Sequence, residues 1–245
     1  MAIDETVLNA FIERAVAELS ASFSAPLILL GDRLGLYQAM AGAGPLTPAQ
    51  LAESTGTTER YIREWLCNQA ASGYASYDPA AGTFTLTEEA AFCLADEDSP
   101  VFLPGAYQLM SAMMHDEPKI SAAFRTGQGV GWHEHYAELY EGTERFFRPG
   151  YNANLISGWL PALDGVVERL AAGAKVADVG CGHGASTIIL AQNFPNSRFA
   201  GFDYHAASIE TARKRATEAG VADRGTFEVA SAADYPGDGY DPVGF

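Results

Sequence analysis

Apolar residues recur at helical spacing through the first part of the chain, whereas from residue 174 onward short apolar runs alternate with helical stretches. Leu8, Phe11, Ile12, Ala15 and Leu19 follow a helical period and predict an amphipathic helix. A second helix is predicted over residues 26–40. Thr47-Pro48-Ala49-Gln50 reads as a capping box, with Thr47 as N-cap, Pro48 at the first helical position and Gln50 reaching back. The short helix it opens stops at Gly56, and Thr57 is the predicted cap of another that carries Ile62, Trp65, Leu66 and Gln69 to Gly73. Residues 74–77 and 83–86 are β-rich and are joined by Asp78-Pro79-Ala80-Ala81-Gly82, a loop with strong turn chemistry. Thr87 then caps a helix running to about Leu94. Helices followed by a two-stranded wing give a winged-helix order.

The pattern divides the chain into three. Residues 1–98 read as a winged-helix domain, 99–170 as a helical connector, and 171–245 as an incomplete Rossmann-like domain. The predicted fold class is therefore α/β, with an N-terminal helical domain ahead of a partial parallel sheet.

Charge narrows the partners. The 245 residues carry a net charge of −16, and nucleic-acid binding relies on Lys and Arg against phosphate. Residues 1–100 hold four basic residues (Arg14, Arg33, Arg60, Arg63) against 14 acidic ones, a net of −10, and the wing has no Lys or Arg. A winged helix without a basic face is not expected to read DNA, and an anionic membrane surface is disfavoured for the same reason. No run approaches the roughly 18 consecutive apolar residues of a membrane span, and the N-terminus lacks the basic start of a signal peptide. Cys67, Cys93 and Cys181 lie far apart with no CxxC pair, which argues against a disulfide framework or structural zinc and for the reducing cytoplasm.

The chemistry concentrates after residue 174. Residues 174–179 form an apolar strand holding Asp178, followed by Gly180-Cys181-Gly182-His183-Gly184 and a helix opening at Ala185. Strand, glycine turn and helix N-terminus make a site for a nucleotide-like ligand. Gly180 and Gly182 permit the turn and a close backbone approach, and Gly184 permits tight packing where the helix begins. The next strand, 197–202, ends at Asp203, placed to accept hydrogen bonds from two ribose hydroxyls. Tyr204 is positioned to pack on a base, and after a helix over 206–219 and a strand over 226–229, the loop with Ser231, Ala232 and Asp234 reaches towards that base.

Gly180, Gly182 and Ala185 also satisfy the looser GxGxx(G/A) form, so an NAD(P)-dependent oxidoreductase is one alternative. Two features favour a different ligand: the turn is GxGxG, and Asp178 sits within the strand two residues before it. A buried acid needs a partner. An ammonium-bearing ligand, reached through the loop amides or a water, supplies one, whereas a pyrophosphate would be repelled.

Residues 176–187 resemble motif I of class I S-adenosylmethionine-dependent methyltransferases, and 198–205 resemble the acidic motif that follows it. The whole chain resembles bacterial small-molecule methyltransferases with an N-terminal winged helix. The resemblance implies S-adenosylmethionine as cofactor, bound by Gly180, Gly182 and Asp203 with support from Asp178, Cys181, Gly184 and Tyr204. It also implies a small-molecule acceptor and a homodimer in which the winged helix closes over substrate. Many relatives place an acid after the third strand where Ser231 stands here, so Ser231 or Asp234 is expected to substitute. The resemblance names no catalytic base. A class I core has seven strands, yet only three fit after residue 174, and Pro242 is expected to break a fourth. The expectation is thus a truncated chain with the first strand left at an edge, weak cofactor binding and a missing catalytic base. A non-catalytic winged-helix interaction protein is the remaining alternative.

Elsewhere, Trp132-His133-Glu134-His135-Tyr136 is expected to be a helix start or loop with solvated histidines, and metal binding there lacks a distant third ligand. The aromatics of residues 146–151 are read as core or as a sulfonium pocket. Met110, Met113 and Met114 are read as core or a dimer seam. His183 is expected to shape its loop, and His205 to lie at the surface.

Overall fold

The computed structural model describes residues 3–241 and the backbone of 243–244. It divides into two compact units, Met1–Ser111 and Ala112–Phe245.

The first unit opens with one long helix, α1 (Glu5–Arg33), capped by the Asp4 side chain. Two helices were expected here, and Pro26 lies inside α1 instead. An interior proline costs about 3 kcal/mol. Burying Ile28 and Leu29 on the same helix returns about 1.5–3 kcal/mol each, which is enough to carry it through. The break falls at Gly35 (φ 66°), before α2 (Leu36–Met40). Gly31 of α1 is there for space: a Cβ would meet the Trp65 ring at 2.6 Å.

Helix α3 (Pro48–Thr55) carries the expected capping box: Thr47 N–H donates to Gln50 Oε1 at 2.8 Å, and Gln50 N–H to Thr47 Oγ1 at 3.3 Å. Helix α4 (Glu59–Ala71) starts from Thr58 rather than Thr57, whose hydroxyl pairs with that of Thr55 at 2.8 Å. Strands β1 (Ser76–Asp78) and β2 (Thr83–Thr85) form the antiparallel wing, and Leu46 bridges to Phe84 beside it. Helix α5 (Glu88–Leu94) is capped by Thr87. Ile28, Leu36, Tyr37, Met40, Leu66 and Phe84 belong to the core of this unit, and the Tyr37 hydroxyl is satisfied by Gln69 at 2.7 Å.

Much of α1 stays outside that core. Leu8, Phe11, Ile12, Val16, Leu19 and Phe23 are all exposed, Phe23 by 78%. By length and composition alone α1 is apolar enough to cross a membrane, with 22% of its most apolar window buried. Glu13, Arg14 and Glu18 interrupt its apolar residues, so no unbroken apolar run marks this helix in the sequence.

Helix α6 (Pro104–His115) ends at the start of the second unit, with Met113 and Met114 exposed rather than in a core. The unit continues with α7 (Glu117–Thr126), a 3-10 turn at Trp132–Glu134, and α8 (Glu138–Asn154). A π turn at Leu155–Trp159 and a 3-10 turn at Leu160–Ala162 lead to α9 (Val166–Ala172). Then come β3 (Lys175–Val179), α10 (Ala185–Asn193), β4 (Arg198–Asp203), α11 (Ala206–Glu218), β5 (Gly225–Val229) and β6 (Val243–Gly244).

The sheet order is β5-β4-β3-β6, and each of its three pairings is parallel. A fourth strand therefore does begin beside β3, contrary to expectation. Asp241 N–H donates to the Lys175 carbonyl at 2.8 Å, Lys175 N–H donates to Asp241 Oδ2 at 3.0 Å, and Val243 pairs with Ala177. The ladder thus runs through residues on either side of Pro242, which itself lies outside the described residues. Val176, Ile188, Phe199, Ile209 and Phe227 are among the buried residues of the unit's main core, and Ala177, Val179 and Phe202 form a smaller cluster.

Candidate functional site

Chain order and sheet order disagree at one place in the second unit. After β3 the chain adds β4 and β5 on one side, then β6 on the other. In open α/β sheets such a reversal leaves a crevice beyond the carboxyl ends of the strands, where ligands bind. A cavity of about 760 Å³ lies there, reached by Val179 at the end of β3, Asp203 at the end of β4 and Ala230 after β5.

The glycine turn forms its floor. Gly180 and Cys181 N–H groups both donate to the Phe202 carbonyl, at 2.7 and 3.0 Å, which docks the turn against the end of β4. Gly182 N–H donates to Asp203 Oδ2 at 3.0 Å, and His205 N–H to Asp203 Oδ1 at 2.8 Å. Each Asp203 oxygen still has a lone pair for a ligand hydroxyl.

Asp178 meets partners that the sequence reading did not foresee. Its Oδ2 accepts from the hydroxyls of Ser186, at 2.8 Å, and Thr187, at 2.5 Å, in the first turn of α10. One oxygen of the strand acid is therefore paired within the fold, by two neutral hydroxyls that leave its charge in place.

The opposite wall comes from residues 132–170. Trp132, Tyr140, Phe147 and Tyr151 supply aromatic surface, and Leu155, Leu160 and Leu163 supply aliphatic surface. The aromatics at 146–151 lie inside α8, around the buried Pro149. Burial, and then the charge of Asp178, raise the Tyr151 phenol above its ordinary value. Burial, followed by the charges of Asp178 and Asp203, pushes the Cys181 thiol up strongly. Burial, with Arg215 second, lowers His183, so the imidazole in the turn favours its neutral form.

Glu144 also lines the cavity, with a side chain only 10% exposed. It pairs with Arg148 Nε at 3.0 Å and Arg215 at 2.7 Å.

Two family models match these units. Residues 22–96 match the Rv2258c-like winged HTH domain, and residues 170–244 match a methyltransferase domain. The chain carries a winged helix joined to a methyltransferase domain. The chain is similar to the trans-aconitate 2-methyltransferase of Paracidovorax citrulli (strain AAC00-1), 48% identical over 46 residues, which span 19% of this chain and 18% of that protein. Among solved structures, the mitomycin 7-O-methyltransferase MmcR superposes with a TM-score of 0.71 at 24% identity, over 97% of this chain and 71% of that one. NcsB1, an O-methyltransferase from neocarzinostatin biosynthesis, was solved with S-adenosylmethionine and 2-hydroxy-5-methyl naphthoic acid. It superposes with a TM-score of 0.60 at 19% identity, over 94% of this chain and 69% of that one. At these identities the likeness is one of fold.

Within the methyltransferase domain, the structure gathers most of the residues singled out from sequence. Asp178, Gly180, Cys181, Gly182, Asp203, Tyr204 and Ala232 all line the cavity. Gly184 and Ser231 are not in its wall. Gly184 (φ 77°) starts α10, and a Cβ there would meet Phe227 at 2.7 Å, so its role is packing. The Ser231 hydroxyl accepts from Ala233 N–H at 3.1 Å, and its carbonyl accepts from Asp234 N–H at 3.0 Å, so it closes its own loop.

Sequence reasoning missed Trp132, Tyr140, Thr143 and Glu144 as wall residues. It also expected a solvated His135, whereas that side chain is 19% exposed and hydrogen-bonds Asp116 at 2.9 Å. The helical period of α8, which puts Tyr140, Thr143 and Glu144 on one face with Phe147 and Tyr151, is the signal that could have pointed to those three.

Proposed function

We propose that this chain binds S-adenosylmethionine in the cavity beyond β3 and β4, and takes part in transferring its methyl group to a small-molecule acceptor. One observation carries the reading. Among the described residues, the cavity is lined by Glu144, Asp178 and Asp203 and by no Lys or Arg. Glu144 is already paired with arginines, which leaves two carboxylates to set the local charge. Such a site suits a ligand carrying sulfonium and ammonium charge and opposes a pyrophosphate. The residues fit the cofactor: Asp203 for the ribose hydroxyls, Asp178 for the ammonium of the amino-acid end, and Tyr204 and Ala232 for the base.

S-adenosylmethionine, when bound, supplies an activated methyl group. The chain's task is then alignment and exclusion of water. The wall from residues 132–170 serves the acceptor side, with Trp132, Phe147 and Tyr151 able to face a sulfonium. We assign no catalytic base.

The same proposal takes the winged helix as a dimerising element and not a DNA reader. Arg60 pairs with Glu64 at 3.2 Å and Arg63 pairs with Glu59, so both arginines of α4 are neutralised along their own helix. The exposed apolar face of α1 fits a second copy of this chain. Unpaired Cys67, Cys93 and Cys181 suit a reducing, cytoplasmic setting.

Thermal melting with S-adenosylhomocysteine and with NAD tests the cofactor. Ligand at 100 times Kd adds about 2.7 kcal/mol of stability. A shift with the former alone is expected; a shift with NAD alone overturns the reading.

A further inference from the structure

Asp116 joins α6 to α7 and has no exposed surface. Its carboxylate gathers donors from two separate stretches of chain. Oδ2 accepts from Tyr136 N–H at 2.8 Å and from His135 Nδ1 at 2.9 Å. Oδ1 lies 2.9 Å from Lys119 Nζ and 3.3 Å from His115 Nδ1. Lys119 also donates to the Glu134 carbonyl, and the His115 ring stacks on Tyr136 at 4.2 Å. These donors, the Tyr136 amide foremost, hold the Asp116 carboxyl well below its ordinary range.

The segment tied down in this way leads to the cavity. Trp132 and Tyr140 are in its wall. The His133 ring meets Tyr204 edge-on at 6.2 Å, and the Tyr140 ring packs on His205 at 4.7 Å. The Tyr140 hydroxyl reaches back to the Trp132 carbonyl at 2.6 Å. A wholly buried carboxylate is expensive unless fully paired, and apolar packing could fill such a corner at lower cost. What the carboxylate adds is a fixed place for residues 131–136.

We propose that Asp116 is a positioning residue for the cavity, acting through His135 and the Tyr136 amide to hold Trp132 and Tyr140 as the wall beside Tyr204. The ligand arm of the test rests on the cofactor reading above; the segment arm does not.

Hydrogen exchange over residues 131–136 and calorimetric affinity for S-adenosylhomocysteine are compared in wild type, Asp116→Asn, His135→Ala and His135→Asn. Asparagine can place an N–H where histidine Nδ1 stands. Asp116→Asn and His135→Ala are expected to speed exchange in this segment and weaken binding about tenfold. His135→Asn is expected to recover both. In a cycle with Trp132→Ala, the Asp116→Asn loss is expected to be largely absent, because both changes remove the same wall. Unchanged exchange in Asp116→Asn overturns the proposal. So do equal losses in the two His135 variants, or additive losses in the cycle. If wild type binds no S-adenosylhomocysteine, the cofactor reading fails and the exchange comparison alone decides the role of Asp116.

Discussion

Gly182 N–H donates to Asp203 Oδ2 at 3.0 Å, so the glycine turn after β3 and the acid ending β4 are one mechanical unit. Asp203 holds the turn in shape and presents its remaining lone pairs to the cavity. Loss of this carboxylate should therefore be felt in both binding and stability. For Asp203→Ala we expect S-adenosylhomocysteine affinity to fall about 100-fold, from the loss of charge-assisted bonds to two hydroxyls. Unfolding in urea should also show a loss of about 1–3 kcal/mol, because Gly182 and His205 N–H groups lose their acceptor. Unchanged affinity in this variant would remove the basis for the ribose assignment.

Gly184 is a packing position. A methyl group there would sit 2.7 Å from Phe227 and force a non-glycine residue to φ 77°. Gly184→Ala should destabilise by about 2–4 kcal/mol, combining overpacking with left-handed backbone strain. Adding Phe227→Leu should recover the overpacking part and leave the backbone part. Equal stability of wild type and Gly184→Ala in urea would contradict this account.

Two of the three thiols should differ sharply in reactivity. Cys67 is exposed and Cys181 is buried. Burial and the neighbouring Asp178 and Asp203 charges raise the Cys181 thiol far above its ordinary value, and the thiolate is the reactive form. With an aromatic disulfide reagent at pH 8, Cys67 should react fast and Cys181 only on unfolding. Mass spectrometry showing early labelling of Cys181 would be inconsistent with the described turn.

Asp116 sets an acid limit on stability. Its carboxyl is held below the ordinary 3.8, first by the Tyr136 amide and then by Lys119, His135 and His115. A carboxyl that is more acidic in the folded state contributes stability above its unfolded value and loses it as pH falls through the folded one. The melting-temperature advantage of wild type over Asp116→Asn should hold at pH 5 and shrink progressively below about pH 4. An advantage that grows on acidification would show that the pairing is wrong.

The exposed face of α1 should drive self-association. Phe11 and Phe23 are 58% and 78% exposed on a helix otherwise able to bury them against a second copy. Sedimentation should show a dimer for wild type and a monomer for the double variant Phe11→Glu, Phe23→Glu. A wild-type monomer that instead floats with lipid vesicles would count against dimerisation and favour a membrane role for α1.

Much of this protein is legible in its residues alone. The capping box at Thr47 and Gln50, the wing around Asp78 and the glycine turn from Gly180 are each set by neighbours a few positions apart. Local hydrogen bonding and backbone preference therefore specify them. Asp203 was legible for a similar reason, since a strand end following a glycine turn and helix has a nearly fixed place in a parallel sheet. What only the tertiary structure decided was whatever depends on distant faces meeting. Helix α1 runs through Pro26 because Ile28 and Leu29 find a core. Ser231 turns away from the cavity while Ala232 enters it. Glu144 meets Arg215 across 71 positions, and Asp116 gathers His135 and Tyr136. Periodicity tells which residues share a face; it does not tell which other face will cover them, because that choice is made by the packing of the whole unit.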